Sequence, residues 1–297
     1  MEMILAFVVQ TIRIAIPYLF AASGGVVAER AGVVSLTLEG FMLTGAFGAA
    51  LGSFYSGSAA VGVLCGIGAG LLFGLLHAVA SIRFRADQIV VGIALNLLAV
   101  GVTRFFLQLA FDSSSNSPRV PGLSAADLGF AAGLFASLLN PLLWLGLLAI
   151  PAVWWLVART PFGLRVRAVG EHPEAAASVG VPVARVRYAA VALSGVLAGL
   201  GGVYLALDQH QFTDSMTAGR GFIALAAVIF GRWEPVRAGV ACLLFAAAET
   251  LQIQLQAMQA APSQLVATLP YVLTIVALAG VVGRSTPPAS LGKAEQA

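Results

Sequence analysis

Apolar runs follow one another along almost the entire chain, at about 8–28, 36–54, 60–81, 87–110, 140–158, 188–207, 219–232, 236–257 and 264–283. Several reach the roughly 20 residues a helix needs to cross a hydrocarbon core about 30 Å thick. Only 10% of the 297 residues are charged, against about 25% in a soluble domain. In water such a chain would leave most of its apolar faces uncovered, so its solvent is lipid. Strands of alternating polarity, which a membrane-spanning barrel requires, are missing. The expected fold is all-α, a polytopic membrane helical bundle of about nine segments, some of them broken helices. It forms one transmembrane domain over 1–297.

Charge placement, rather than nucleic-acid binding, accounts for the net charge of +3. Twelve of the sixteen basic residues lie in or beside one set of alternate connections: Arg30, Arg83, Arg85, Arg159, Arg165, Arg167, Arg185, Arg187, Arg232, Arg237, Arg284 and Lys293. The positive-inside rule makes that set cytoplasmic, with the C-terminus inside and, for nine crossings, the N-terminus outside. The first run has no basic stretch before it and outlasts a signal peptide's apolar region, so it is expected to be a retained span. Arg13 and Arg104 sit toward outer span ends, where a long side chain can snorkel to the interface. Arg104, Gln108 and Asp112 share a helix face at four-residue spacing, which predicts an ion pair within that helix. The Ser/Pro-rich loop DSSSNSPRVPGL, 112–123, is expected outside and flexible. Cys65 and Cys242 each fall within an apolar run, without metal-site spacing, and read as small packing residues.

One polar island interrupts the pattern, within a loop at 159–187. In EHPEAAASVGVP, Pro173 suits the first helical position and Glu174 the positive end of a helix dipole. Ala175 to Ala177 favour helix, and Gly180 then Pro182 end it. The result is a helix of about two turns, Pro173 to Val179, too short to stand alone in water. Either the rest of the loop or a partner protein must hold it.

The stretch FGLRVRAVGEHPEAAASVGV resembles the cytoplasmic coupling-helix loop of ABC importer permeases for branched-chain amino acids, simple sugars and nucleosides. Three further segments resemble the nucleoside-type branch: GGVVAERAGVVSLTLEGFMLTGAF from Gly24, MTAGRGFIALAAVIFGRWEP from Met216, and TLPYVLTIVAL from Thr268. The resemblance implies a permease subunit in a bacterial-type cytoplasmic (inner) membrane. It further implies a second permease subunit, forming a heterodimer, two cytoplasmic ATPase subunits and an extracytoplasmic substrate-binding protein. The ATPase would be engaged by Arg165, Arg167, Gly170, Glu171, Pro173, Glu174 and Gly180. One departure is visible: where the family shows a short Asn-Ile-Gly before Leu-Glu-Gly, this chain has Ser35, Leu36 and Thr37. Those positions sit in a broken-helix region, and the change bears on the substrate more than on the fold.

Other chemistry is missing from the sequence. There is no GxxxxGK[ST], and the only lysine is Lys293, so the chain has no Walker-type phosphate cradle. ATP is therefore expected on the partner subunit, with no cofactor bound directly, no metal and no catalytic residue. His77, His172 and His210 are scattered. Gly195 and Gly199 match the small-xxx-small spacing of close helix packing.

Polar residues inside spans are the candidates for a substrate path, because burying each one costs free energy unless it is paired or wet. Glu249, Gln252, Gln256 and Gln259 form one stripe on a helix. The stripe must face protein or a water-filled cavity, acting either as interhelical glue or as path lining. Asn96 and Glu39 carry the same two readings. Phe41 and Phe222 are expected to face a common space with them and offer flat rings to a nucleobase. A short echo, Gly24-Gly25-Val26 before Glu39-Gly40-Phe41 and Gly201-Gly202-Val203 before Arg220-Gly221-Phe222, suggests an inverted repeat around a central site.

These features point to the permease subunit of an ATP-driven importer of nucleosides or related purines and pyrimidines. The alternatives are a permease for simple sugars or branched-chain amino acids, and an ion-coupled secondary transporter, which would leave the polar island unexplained. A membrane enzyme has no catalytic constellation to support it.

Overall fold

A computed structural model describes residues 2–123, 127, 136–258, 268, 272 and 286–293. Among these, ten α-helices account for eight of the nine apolar runs and for the polar island: α1 Glu2–Arg30, α2 Leu38–Ser56, α3 Ala59–Ala78, α4 Gln88–Phe111, α5 Pro141–Arg159, α6 Pro161–Glu171, α7 Pro173–Ser178, α8 Val183–Gln209, α9 Arg220–Phe230 and α10 Pro235–Ala257. The ninth run, 264–283, and Gln259 lie outside the described residues. Among the described residues, six helices are long and apolar enough to cross a membrane: α1, α3 with its π-helical extension to Arg83, α4, α5, α8 and α10. The chain is thus a multi-pass membrane protein, all-helical among the described residues. The 19-residue α2 and the 11-residue α9 lie among these six.

Proline marks the start of four helices, α5, α6, α7 and α10. Its fixed φ suits the first turn, and its missing N–H is one of the donors a helix start leaves unpaired anyway. In three of them the preceding side chain caps the turn. Asn140 accepts from the Leu142 N–H at 2.9 Å, Thr160 from Gly163 at 3.1 Å, and Glu234 from Arg237 at 2.8 Å.

The packing centre is α8, of which 78% is buried along its most apolar window, whereas for α4 the share is 28%. Glycine explains how α8 gets there. A Cβ at Gly195 would strike the Gly70 carbonyl, and one at Gly199 would lie 3.1 Å from the Gly70 Cα, so α3 and α8 touch backbone to backbone. On another face, Gly202 lies against the Met42 carbonyl of α2. This is the close packing that the Gly195/Gly199 spacing predicts.

Two expectations are corrected by distant contacts, and one open alternative finds support. Arg104 pairs with Asp214, not with Asp112, whose carboxylate instead accepts from the Gln108 amide at 3.0 Å. Asp112 ends α4 with left-handed backbone, at φ 52°, and its neighbour on the helix face is the nearer donor. The loop at 112–123 is not loose: the Ser117 N–H donates to the Phe212 carbonyl and the Val120 N–H to His210, both at 2.8 Å. The polar island contains a second helix, α6, and the short α7 packs on α6 and α8, so the loop itself supplies part of the support that α7 needs.

Candidate functional site

Two of the helices start inside the bundle rather than at its surface. The N-terminus of α2 sits beside Asn96, eight residues and hence about 12 Å along α4 from its first residue, Gln88, at 1.5 Å per residue. Its unpaired backbone groups find a partner there: the Asn96 amide oxygen accepts from the Gly40 N–H at 2.8 Å, and its NH2 donates to the Leu36 carbonyl at 2.9 Å. A backbone break at that depth is sustainable only when its polar groups are satisfied in this way.

The N-terminus of α9 faces the same break. Glu39, in the first turn of α2, accepts from the Thr217 hydroxyl at 2.6 Å, the Gly219 N–H at 2.9 Å and the Gly221 N–H at 2.7 Å. One carboxylate therefore lies on the positive ends of two helix dipoles. Gly221 is required for the approach, because a Cβ there would strike the Glu39 backbone. The preceding residue continues the network: Arg220 donates to the Glu249 carboxylate of α10 at 2.7 Å, and the Tyr18 hydroxyl of α1 donates to the other oxygen. Arg220 and Glu249 keep only about a fifth of their side-chain surface exposed, 21% and 20%.

The structure thus brings Asn96, Glu39 and Glu249 into one connected polar set. Gln252 is half-buried farther along α10 and Gln256 is exposed near its end. Phe41 and Phe222 do not share a space. The Phe41 ring is buried edge-on against His77, at 6.2 Å between centroids, while Phe222 is exposed. Phe41 lies two residues beyond Glu39, which on a helix turns it to the opposite side.

Sequence reasoning missed the second support of this region. Glu29 is buried and accepts from the Ser35 N–H at 3.1 Å and from the Trp233 indole N–H at 2.5 Å. It joins the α1–α2 turn to the α9–α10 turn, where Arg232 and Trp233 both have positive φ. The positions that depart from the family pattern are all occupied in this architecture. Ser35 meets Glu29, Leu36 packs against Gly92, and Thr37 shares a 2.6 Å hydrogen bond with His77 Nδ1. A polar residue beside Arg30 reads in sequence as a span end, so Glu29 carries no signal of its own.

On the polar island, α6 and α7 enclose an open groove of about 410 Å³ lined by Leu164, Arg167, Glu171, His172 and Val179 among others. Leu164 and Val179 are 62% and 78% exposed, so the groove offers apolar surface at both ends of the α6–α7 pair. Arg165 and Glu174 are exposed, Pro173 opens α7, and Gly180 has φ 83° at its end. Gly170 points inward, where a Cβ would strike the Arg30 carbonyl. Among the described residues no group of three or more His, Cys, Asp or Glu could hold a metal ion. What the arrangement supplies is a connected hydrogen-bonding set inside an apolar bundle and, beside it, an open groove with exposed apolar residues.

Residues 7–278 match the family model described as branched-chain amino acid transport system / permease component. The chain is 40% identical to the guanosine ABC transporter permease protein NupQ of Bacillus subtilis, over 95% of this chain and 93% of that one. It is 37% identical to the nucleoside ABC transporter permease protein NupC of Lactococcus lactis, over 93% and 92%. It is 34% identical to the putative glucose ABC transporter permease protein TsgC13 of Haloferax volcanii, over 93% and 91%. No solved structure matches it.

Proposed function

This chain belongs to the permease-component family of branched-chain amino acid transport systems, and from that membership we propose that it is the membrane-spanning subunit of an ATP-driven importer of nucleosides. The observation that carries the substrate class is its 40% identity, over 95% of its length, to a permease named for guanosine. The polar set around Glu39, Asn96 and Glu249 fits a path for a polar solute, and the two helix starts that meet there fit the broken-helix sites of transporters. Nine segments with an inverted repeat remain the reading of the whole chain, as a single domain.

The α6–α7 surface is read as the ATPase docking site. Arg165, Arg167, Glu171, Pro173, Glu174 and Gly180 form its rim and backbone, while Gly170 anchors it to α1. ATP hydrolysis falls to the partner chains, and this chain needs no cofactor of its own. A second permease subunit, a substrate-binding protein on the outer side and a bacterial-type cytoplasmic membrane complete the proposed assembly. A second reading, sugar import, is favoured by the relative named as a putative glucose permease.

The test is to reconstitute the complete transporter in proteoliposomes and screen ATP-dependent uptake of nucleosides, sugars and amino acids. Saturable uptake of guanosine, with no uptake of glucose or leucine, is expected. Glucose uptake without nucleoside uptake would replace the substrate class and leave the mechanism standing.

A further inference from the structure

The carbonyls in the last turn of a helix have no partner within it. At the end of α6, where the coupling loop turns toward α7, the Ala168 carbonyl accepts from the His172 N–H at 2.9 Å. The Val169 and Gly170 carbonyls are taken from elsewhere, by residue 290. The Ser290 N–H donates to the Gly170 carbonyl at 2.9 Å, and its hydroxyl lies 2.7 Å from that oxygen and 3.2 Å from that of Val169. Ser290 is 4% exposed. Beside it, the Ala289 N–H donates to the Glu171 carboxylate at 3.4 Å.

The other side of the same segment rests on the α1–α2 turn. Gly32 has φ 87°, and a Cβ there would strike the Ser290 hydroxyl. Gly292, at φ 75°, sits against Val34, and Leu291 packs onto the main core. The same turn leads through Ser35 and Leu36 to the start of α2, where Glu39 holds α9. Segment 286–293 therefore lies between the coupling loop and the turn that carries the candidate path, touching both with backbone and side chain.

We propose that segment 286–293 is a clasp, with Ser290 as its positioning residue, that makes the coupling loop and the α1–α2 turn move as one body. A displacement imposed on α6 and α7 then reaches the start of α2 through Ser290 as well as through the Gly170–Arg30 contact. The clasp rests on the reading of α6–α7 as an ATPase docking site, and it adds a route for the motion that the docking site alone does not specify. Ser290 touches no solute on this account; it acts through Gly170 and Gly32.

The experiment uses the complete transporter in proteoliposomes and records guanosine uptake and ATP hydrolysis together, so that the readout is uptake per ATP. Ser290→Ala, Ser290→Thr and a chain ending at Thr286 are compared with the unmodified protein. Ser290→Ala is expected to keep the ATPase subunits bound and hydrolysis within about twofold while uptake per ATP falls about fivefold or more, the lower end of a typical coupling energy. Ser290→Thr, which retains the hydroxyl, is expected to restore the ratio, and the shortened chain to lose more. An unchanged ratio in Ser290→Ala overturns the clasp whatever the shortened chain does, and so does an equal loss of uptake and hydrolysis. Absence of ATP-driven uptake by the unmodified complex overturns the import reading instead, and the clasp with it.

Discussion

Glu39 and Gly221 are joined twice. The Gly221 N–H donates to the Glu39 carboxylate at 2.7 Å, and the absence of a side chain at Gly221 lets the Glu39 backbone lie against it. The two contacts fail differently. Glu39→Ala removes the acceptor of three hydrogen bonds and leaves the α9 start uncapped, a loss of about 1–3 kcal/mol for unsatisfied buried donors. Glu39→Gln keeps one acceptor and is expected to cost less. Gly221→Val forces the helices apart and is expected to be worse than either. Thermal unfolding of the purified permease should show the smallest loss for Glu39→Gln, a larger one for Glu39→Ala and the largest for Gly221→Val, and equal melting temperatures for Glu39→Ala and Glu39→Gln would count against the capping role.

Arg220 and Glu249 form a mostly buried pair at 2.7 Å. Removing one partner strands the other, at about 3–5 kcal/mol, whereas replacing both with apolar residues of similar size is often close to neutral. Arg220→Met and Glu249→Met should each lower the melting temperature, and the double variant should recover most of the loss. A double variant as unstable as the sum of the singles would show that the two residues do not act as a pair.

Gln252 lies one turn from Glu249 and is half-buried. If it lines the path, Gln252→Leu in the complete transporter leaves assembly and basal hydrolysis intact and lowers uptake. If Gln252 instead joins helices, the same variant shows as a shift in assembly, with interhelical hydrogen bonds of about 0.6–2 kcal/mol at stake. Uptake at the unmodified level removes Gln252 from the path.

Docking on α6–α7 is tested best at its exposed apolar residues, since Gly170 and Ala176 are buried and changes there would disturb the loop itself. Leu164→Asp and Val179→Asp should leave the permease inserted and equally stable while abolishing recovery of the ATPase subunits. Normal recovery with both variants would move the docking site elsewhere.

Orientation follows from two single cysteines in a background lacking Cys65 and Cys242. Ser114 is exposed and serves for the outer side; Ser290 is buried, so the exposed Lys293 serves for the inner side. An impermeant maleimide applied outside should label Ser114→Cys and spare Lys293→Cys, because the arginine bias demands it. Labelling of Lys293→Cys from outside would reverse the topology.

Features whose causes are local in sequence were legible there. The apolar runs place eight helices, the Gly195/Gly199 spacing anticipates the contact with α3, and Pro173 with Gly180 brackets α7 to within a residue. The candidate site was legible as a set of costly polar residues, but not as a network, because each partner is far away along the chain. Glu29 and Trp233 are 204 residues apart, Glu39 and Gly221 182, and Ser290 and Gly170 120. Arg104 illustrates the same limit: a neighbour at helical spacing was visible, whereas Asp214, 110 residues on, was not.

The glycine contacts between α3 and α8 carry a mechanical consequence. Where two helices meet backbone to backbone, a slide or a twist drives Cβ atoms or carbonyls into each other, because packed interfaces have discrete arrangements rather than a continuum. Gly66, Gly70 and Gly74 on one helix and Gly195 and Gly199 on the other make such an interlock over about two turns. With α2 keyed to α8 at Gly202, these three helices resist sliding past one another as a single block. Any stroke must then carry α2, α3 and α8 together, or open the looser contacts around them.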